Sequence, residues 1–169
     1  IRMLIEKNLP LRLFDLINIA FAAFVKGLVH AHTDVEIFIF DLLGGIMREQ
    51  GYTANEVEAV LSLNPTLIYL VPKQLEAVRA FAGLPEAPAL AAANKRVGNI
   101  LKKAEGEVGE KVDPARFVED AEKALFAALG DIAPQADAAF EAGDYTASLQ
   151  KLAALKAPVD AFFDHVMVN

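Results

Sequence analysis

Apolar residues recur along this chain at the three- and four-residue spacing of helices, and few segments alternate as strands do. Over residues 11–25, Leu13, Phe14, Leu16, Ile17, Ala20, Phe21 and Phe24 give a helix with a broad apolar surface, and Gly27 is placed to end it. His30-Ala31-His32 is expected in the following loop. Thr33 or Asp34 suits the N-cap of a next helix over 35–50. That helix is apolar nearly all round, which predicts burial on several sides or an interface. Its stretch 36–40 has strand-favouring letters, but no hairpin partner lies nearby, so helix is preferred. Gly44-Gly45 inside it costs about 1 kcal/mol per glycine relative to alanine and marks a place to bend.

Punctuation divides the rest. Gly51 closes the apolar helix. Thr53 and Glu56 have the capping-box spacing and open a helix over 55–63, which Asn64-Pro65 stops. Pro72 suits the first turn of a helix to residue 81, and Pro85 and Pro88 precede or open one over 87–104. Residues 105–112, rich in glycine and charge, predict a loop. Asp113-Pro114 reads as cap and first helical residue of a helix to 129. Further helices are expected over 134–142, 145–156 and 158–168. Short connections predict an all-α, antiparallel helical bundle. No internal repeat of fixed period is present.

The composition supports this reading. The chain has 169 residues, 54% of them hydrophobic, enough for a sizeable core. It has no cysteine, which excludes a disulfide scaffold, Cys-based zinc sites and a thiol nucleophile, and suits a reducing cytoplasm. The first nine residues mix charged and apolar side chains and do not read as a signal peptide. The most apolar run, 16–25, is far short of the ~20 residues that span a membrane. The net charge of −7 argues against a general nucleic-acid binder, but it is uneven: residues 94–116 carry +2, while 117–169 carry −6.

Most signatures of chemistry are missing. There is no phosphate-binding glycine loop and no nucleophile elbow. His30-x-His32, with Asp34 near, falls short of the three or four ligands a metal needs. Asp160 and Asp164, four apart on the last helix, are read as a solvent-facing stripe rather than an acid/base pair. Catalytic, metal and cofactor residues are therefore expected to be none.

The informative segment is 91–104. Ala93, Val97, Ile100, Leu101 and Ala104 form its apolar face. Lys95, Asn99, Lys102 and Lys103 fall on the outward side, with Arg96 flanking. Four cations occur within 94–103 without an acid. Cations give phosphate affinity but read no sequence, whereas Asn99 can both donate to and accept from a base edge. Asn94 lies closer to the apolar face and is read as structural.

Four collinear pieces resemble the β subunit of bacterial glycyl-tRNA synthetase. They are Ala91-Ala92-Ala93-Asn94-Lys95-Arg96-Val97 followed by Asn99-Ile100-Leu101; Arg48-Glu49-Gln50-Gly51-Tyr52 before Ala59-Val60-Leu61; Phe140-Glu141-Ala142-Gly143-Asp144-Tyr145; and Pro158-Val159-Asp160-Ala161-Phe162-Phe163-Asp164 with Val166-Met167-Val168. The resemblance covers essentially the whole chain. It implies a part of a longer subunit: residues 1–32 as a helical connector, and 33–169 as an anticodon-binding-like domain similar to that of arginyl-tRNA synthetase. In that family another helix follows the motif 162–167. The resemblance also implies a non-catalytic role in binding glycine tRNA in the cytoplasm, with the remainder of the β subunit and the catalytic α subunit as partners. The full assembly is a glycine–tRNA ligase. No cofactor and no membrane are expected for this part. Lys95, Arg96, Lys102 and Lys103 would hold phosphates, Asn99 would meet a base edge, and Tyr52 and Tyr69 are candidates for stacking.

The family pattern commonly has arginine at positions matching Leu42, Gly44 and Leu67. Apolar or small residues there, together with the apolar surfaces of 11–24 and 35–47, raise a second reading: a helical protein-interaction or self-associating scaffold, natural or engineered. Its interface candidates are Phe38, Leu42, Met47 and Leu67.

Overall fold

The structure is a computed structural model that describes residues 1–23, 31–103 and 112–167. Helices and turns make up the described residues, with no strand among them, so the all-α reading holds. The chain divides into two compact units, Ile1–Arg79 and Ala80–Asn169.

In the first unit, α1 (Arg2–Glu6), α2 (Leu13–Ala22), α3 (Ala31–Glu49) and α4 (Ala54–Leu61) precede a 3-10 turn, Ile68–Leu70. That turn runs into α5 (Val71–Ala82), whose last residues belong to the second unit. Leu43, Met47, Ile68, Val71 and Leu75 are completely or almost completely shielded from solvent and form the centre of its core. Helix α3 packs against both α2 and α4, which accounts for part of its wide apolar surface. Gly44 is buried on the side of α3 that faces α4. A Cβ there would lie 3.3 Å from Arg48 Nη1 and at ordinary contact distance from α4, 3.4 Å from Leu61 Cδ1 and 3.6 Å from Val57 Cγ1.

The turn between α3 and α4 is strongly tied. Gly51 takes φ +90°, which favours glycine. The capping box forms as read: Thr53 N donates to Glu56 Oε2 at 2.7 Å, and Glu56 N donates to Thr53 Oγ1 at 3.2 Å. Arg79 of α5 completes the clasp. Its Nε and Nη2 donate to the Glu56 carboxylate at 2.8 and 3.0 Å, and Nη2 also donates to the Gly51 carbonyl at 2.7 Å. Its guanidinium centre lies 4.2 Å from the centroid of the Tyr52 ring.

Helix α3 starts earlier than the capping letters suggested. Ala31 and His32 are helical, and Thr33 and Asp34 lie inside the first turn. The His32 ring rests 3.9 Å from the Phe21 ring, a contact between α2 and α3 that the sequence pattern does not announce. The expected helix end at Gly27 and the loop position of His30 lie outside the described residues. The segment 1–32 and the first helices of 33–169 share this one compact unit.

The second unit comprises α6 (Ala87–Lys103), a 3-10 turn (Pro114–Arg116), α7 (Asp120–Glu141), α8 (Tyr145–Ala153) and α9 (Lys156–His165). Helix α7 packs on α8 and α9, and α6 packs on α9. The buried residues of this unit are mostly small: Ala87, Ala136, Ser148 and Ala153, with Tyr145 and Leu155. The Phe140 and Tyr145 rings meet edge to face at 5.0 Å across the α7–α8 turn, where Gly143 has φ +75° and Asp144 caps α8.

Two helix boundaries differ from the sequence reading. Asp113 does cap, accepting from Ala115 N at 3.1 Å, but only a 3-10 turn follows, because Phe117 is extended (ψ 122°). Helix α7 starts at Asp120, where the Glu122 carboxylate accepts from the Val118 and Glu119 amides at 2.7 and 2.8 Å. It then continues through Pro134, where a break was expected. An internal proline costs ~3 kcal/mol or more. Packing of α7 against both α8 and α9, with Ala136 buried one turn-half beyond the proline, offsets that cost.

Candidate nucleic-acid interface

Helix α6 is built from strong helix formers. Pro88 sits in its first turn, three alanines occupy 91–93, and Lys102 and Lys103 lie in its last turn, where cations suit the negative end of the dipole. Along one side, Lys95, Arg96, Asn99 and Lys103, with Ala92 and Ile100, line an open groove of about 360 Å³. On a helix wheel these positions follow each other at three- and four-residue steps, so their heads converge on one strip. The structure thus brings four of the five RNA-binding candidates together. Lys102 does not line the groove.

The four cations of α6 have no ion pair among the described residues. All four are exposed. Arg96 is held in a different way. Its guanidinium centre lies 4.2 Å from the centroid of the Phe163 ring on α9, a cation–π contact. Phe163 is half-buried, and its ring meets that of Phe162 edge to face at 5.4 Å. This aromatic partner was not found from sequence. The late motif containing Phe162-Phe163 was visible, but nothing local to it indicates a contact with α6.

The apolar face assigned to α6 is only partly covered. Ala93 and Ile100 are half-buried, whereas Val97 is 41% exposed and Leu101 52% exposed. Asn94 is exposed rather than buried on a structural face. Neither tyrosine proposed for stacking belongs to this unit. Tyr52 is half-buried with Arg79 over its ring, and burial foremost, then the nearby Glu76 carboxylate, pushes its hydroxyl pKa up. Tyr69 lies in the 3-10 turn before α5 and is also half-buried.

The interface candidates separate by burial. Phe38 and Leu42 are exposed on α3, and Leu67 is half-buried. Met47 is completely buried, a core residue of the first unit, because it lies one turn along α3 from Leu43 on the stripe that faces inward. Of the groups weighed for chemistry, Asp160 accepts from Lys156 Nζ at 2.6 Å, and His165 Nδ1 donates to the Ala161 carbonyl at 2.8 Å. Among the described residues no three His, Asp or Glu side chains are placed to hold a metal.

Comparison with known proteins agrees with the motif resemblance. Residues 90–169, which include most of α6 and all of α7 to α9, match the DALR anticodon binding domain. The chain is 74% identical over 170 residues to the glycine–tRNA ligase β subunit of Thiobacillus denitrificans, matching 100% of this chain and 24% of that protein. It is 61% identical over 169 residues to the β subunit of Paracidovorax citrulli, again with 100% of this chain and 24% of the relative. The chain therefore spans about a quarter of the length of these relatives. The likeness read from four short motifs extends over its whole length.

Proposed function

We propose that this chain is a non-catalytic tRNA-binding module that engages the anticodon region of a glycine tRNA through the groove on α6. The observation that carries the reading is the convergence of Lys95, Arg96, Asn99 and Lys103 on one groove, inside the residues that match the anticodon binding domain. The lysine ammonium groups hold phosphates by charge, which positions the strand but reads no sequence. Asn99 supplies an amide that donates and accepts, as reading an unstacked base edge requires. In this reading the module serves a cytoplasmic glycine–tRNA ligase, with the remainder of a β subunit and an α subunit as partners and with the ligation chemistry performed elsewhere in the assembly.

Exposed apolar residues on α2 and α3, among them Ile19, Ile37 and Phe38, do not suit a polyanion. The proposal gives them to the remainder of the β subunit, since the chain spans about a quarter of its relatives. Self-association is the competing use of the same surface, and the likeness to ligase β subunits favours it less. A chain that sediments as a monomer at high concentration removes it. Among the described residues no helix is long and apolar enough to cross a membrane.

The test is binding of the chain to glycine tRNA and to the same tRNA with a changed anticodon, across a salt series. Two groove lysines that hold phosphates on a single-stranded loop predict a log–log salt slope of about −1.4. Lys103→Gln should reduce that slope by about 0.7, and Lys102→Gln, outside the groove, by less. Equal affinity for both tRNAs, or a slope that Lys103→Gln leaves unchanged, would overturn the assignment.

A further inference from the structure

Resting on that reading, we infer that Arg96 and Phe163 form a stacking platform for one unpaired nucleobase, and that Arg96 is a base-stacking residue rather than a phosphate clamp. The guanidinium centre lies 4.2 Å from the centroid of the Phe163 ring, so the cation already rests on an aromatic surface. Arg96 is exposed and lines the groove, so its side away from the ring is accessible to a ligand. A base laid there makes a three-layer stack of base, guanidinium and phenyl. Guanidinium planes stack on bases as aromatic side chains do, and they are weakly hydrated enough to be covered at low cost.

The neighbours fit this placement. Asn99 lies three residues along α6, one turn away, where its amide can reach the edge of a base stacked on Arg96. Lys95 and Lys103 lie eight residues apart, about 12 Å along the axis, and flank the platform with charge for phosphates on either side. Phe163 acts through Arg96. It is a positioning residue that fixes the orientation of a side chain that is otherwise free to rotate. The Phe162 ring, edge-on at 5.4 Å, supports Phe163 in turn.

The probe is a short RNA hairpin whose loop is either intact or abasic at one position at a time, titrated into the chain. At one loop position the abasic change should weaken wild-type binding about 5- to 150-fold, the range that one base stack supports. Arg96→Lys keeps the charge and loses the plane. It should keep the salt slope but lose the difference between intact and abasic loops. Phe163→Leu should do the same with helicity retained, and Phe163→Tyr, which keeps the ring, should restore the difference. A purely structural role for Phe163 would lower stability without selectively removing this discrimination. Salt-dependent binding in which Arg96→Lys retains full sensitivity to the abasic change, or in which no loop position is sensitive, would overturn the platform and leave the groove assignment standing. Absence of salt-dependent hairpin binding by the wild-type chain would overturn both.

Discussion

Met47→Ala separates a core role for α3 from an interface role. The side chain is fully buried between α3 and its neighbours. Truncation removes Cγ, Sδ and Cε. Loss of their burial costs about 2 kcal/mol. Partial collapse that leaves a void of roughly 50 Å³ adds about 1.2 kcal/mol at ~24 cal/mol per Å³. The small gain in helix propensity from alanine offsets a few tenths of that. The expected destabilisation is therefore about 3 kcal/mol. It should lower Tm by roughly 6–12 °C if the whole chain melts together and by roughly 12–24 °C if the unit Ile1–Arg79 melts alone. Leu42→Ala is the control on the same helix. Leu42 is 46% exposed, so its truncation should cost under about 1 kcal/mol. Thermal melts followed by far-ultraviolet circular dichroism measure both, and sedimentation measures association. A Met47→Ala chain that melts within about 1 °C of the parent but changes its association state would refute the core reading.

Other outcomes follow from the same unit. Hydrogen bonding to Arg79, with help from the Thr53 amide, holds the Glu56 carboxyl down at about 2. A depressed pKa gives stability that is fully present above the unfolded value, about 4.3, and is lost as pH falls toward 2. The Tm advantage of the wild type over Glu56→Gln should accordingly shrink between pH 5 and pH 2, and a constant difference across that range would count against the clasp. Gly45 is a helical residue of α3 with no atom within 4 Å of an added Cβ. Gly45→Ala should raise stability by about 0.5–1 kcal/mol in denaturant titrations. Gly51→Ala should do the opposite, because φ is +90° there.

Signals that act within a few residues were legible in the sequence. The Thr53–Glu56 box, the helix-ending glycine at 51, the proline in the first turn of α5 and the extent of α6 each depend on local backbone chemistry. What failed was decided by neighbours. Pro134 reads as a break, yet packing on two sides carries the helix through it. Asp113 capped as expected, but an extended Phe117 ended the turn that it opened. In an almost wholly apolar helix such as α3, periodicity cannot choose the inward stripe, so Met47 and Leu42 look equivalent until α2 and α4 are in place. On α6 the pattern identified an apolar face, but it could not show that the far end of that face is open at Val97 and Leu101. The cationic side of α6 was legible because it needs only helical spacing. The Arg96–Phe163 contact was not, since it joins residues from different helices that are far apart in the chain.

The charge distribution bears on how the proposed module would select RNA. The chain carries −7 overall, and residues 117–169 alone carry −6, so its long-range field does not draw in polyanions. At physiological ionic strength that field is screened beyond about 8 Å, and RNA that approaches within contact distance experiences mainly the groups it touches. On α6 those groups are cations without ion pairs among the described residues, an amide, and an arginine braced on a ring. A strand that only skims the surface meets acidic residues more often than basic ones and gains little. In the proposed reading, a loop that follows the groove and presents an unstacked base would gain phosphate contacts and a stack together. Selectivity would then arise from the small size of the cationic strip. A uniformly basic domain would hold any RNA, whereas such a strip would require its ligand to be placed.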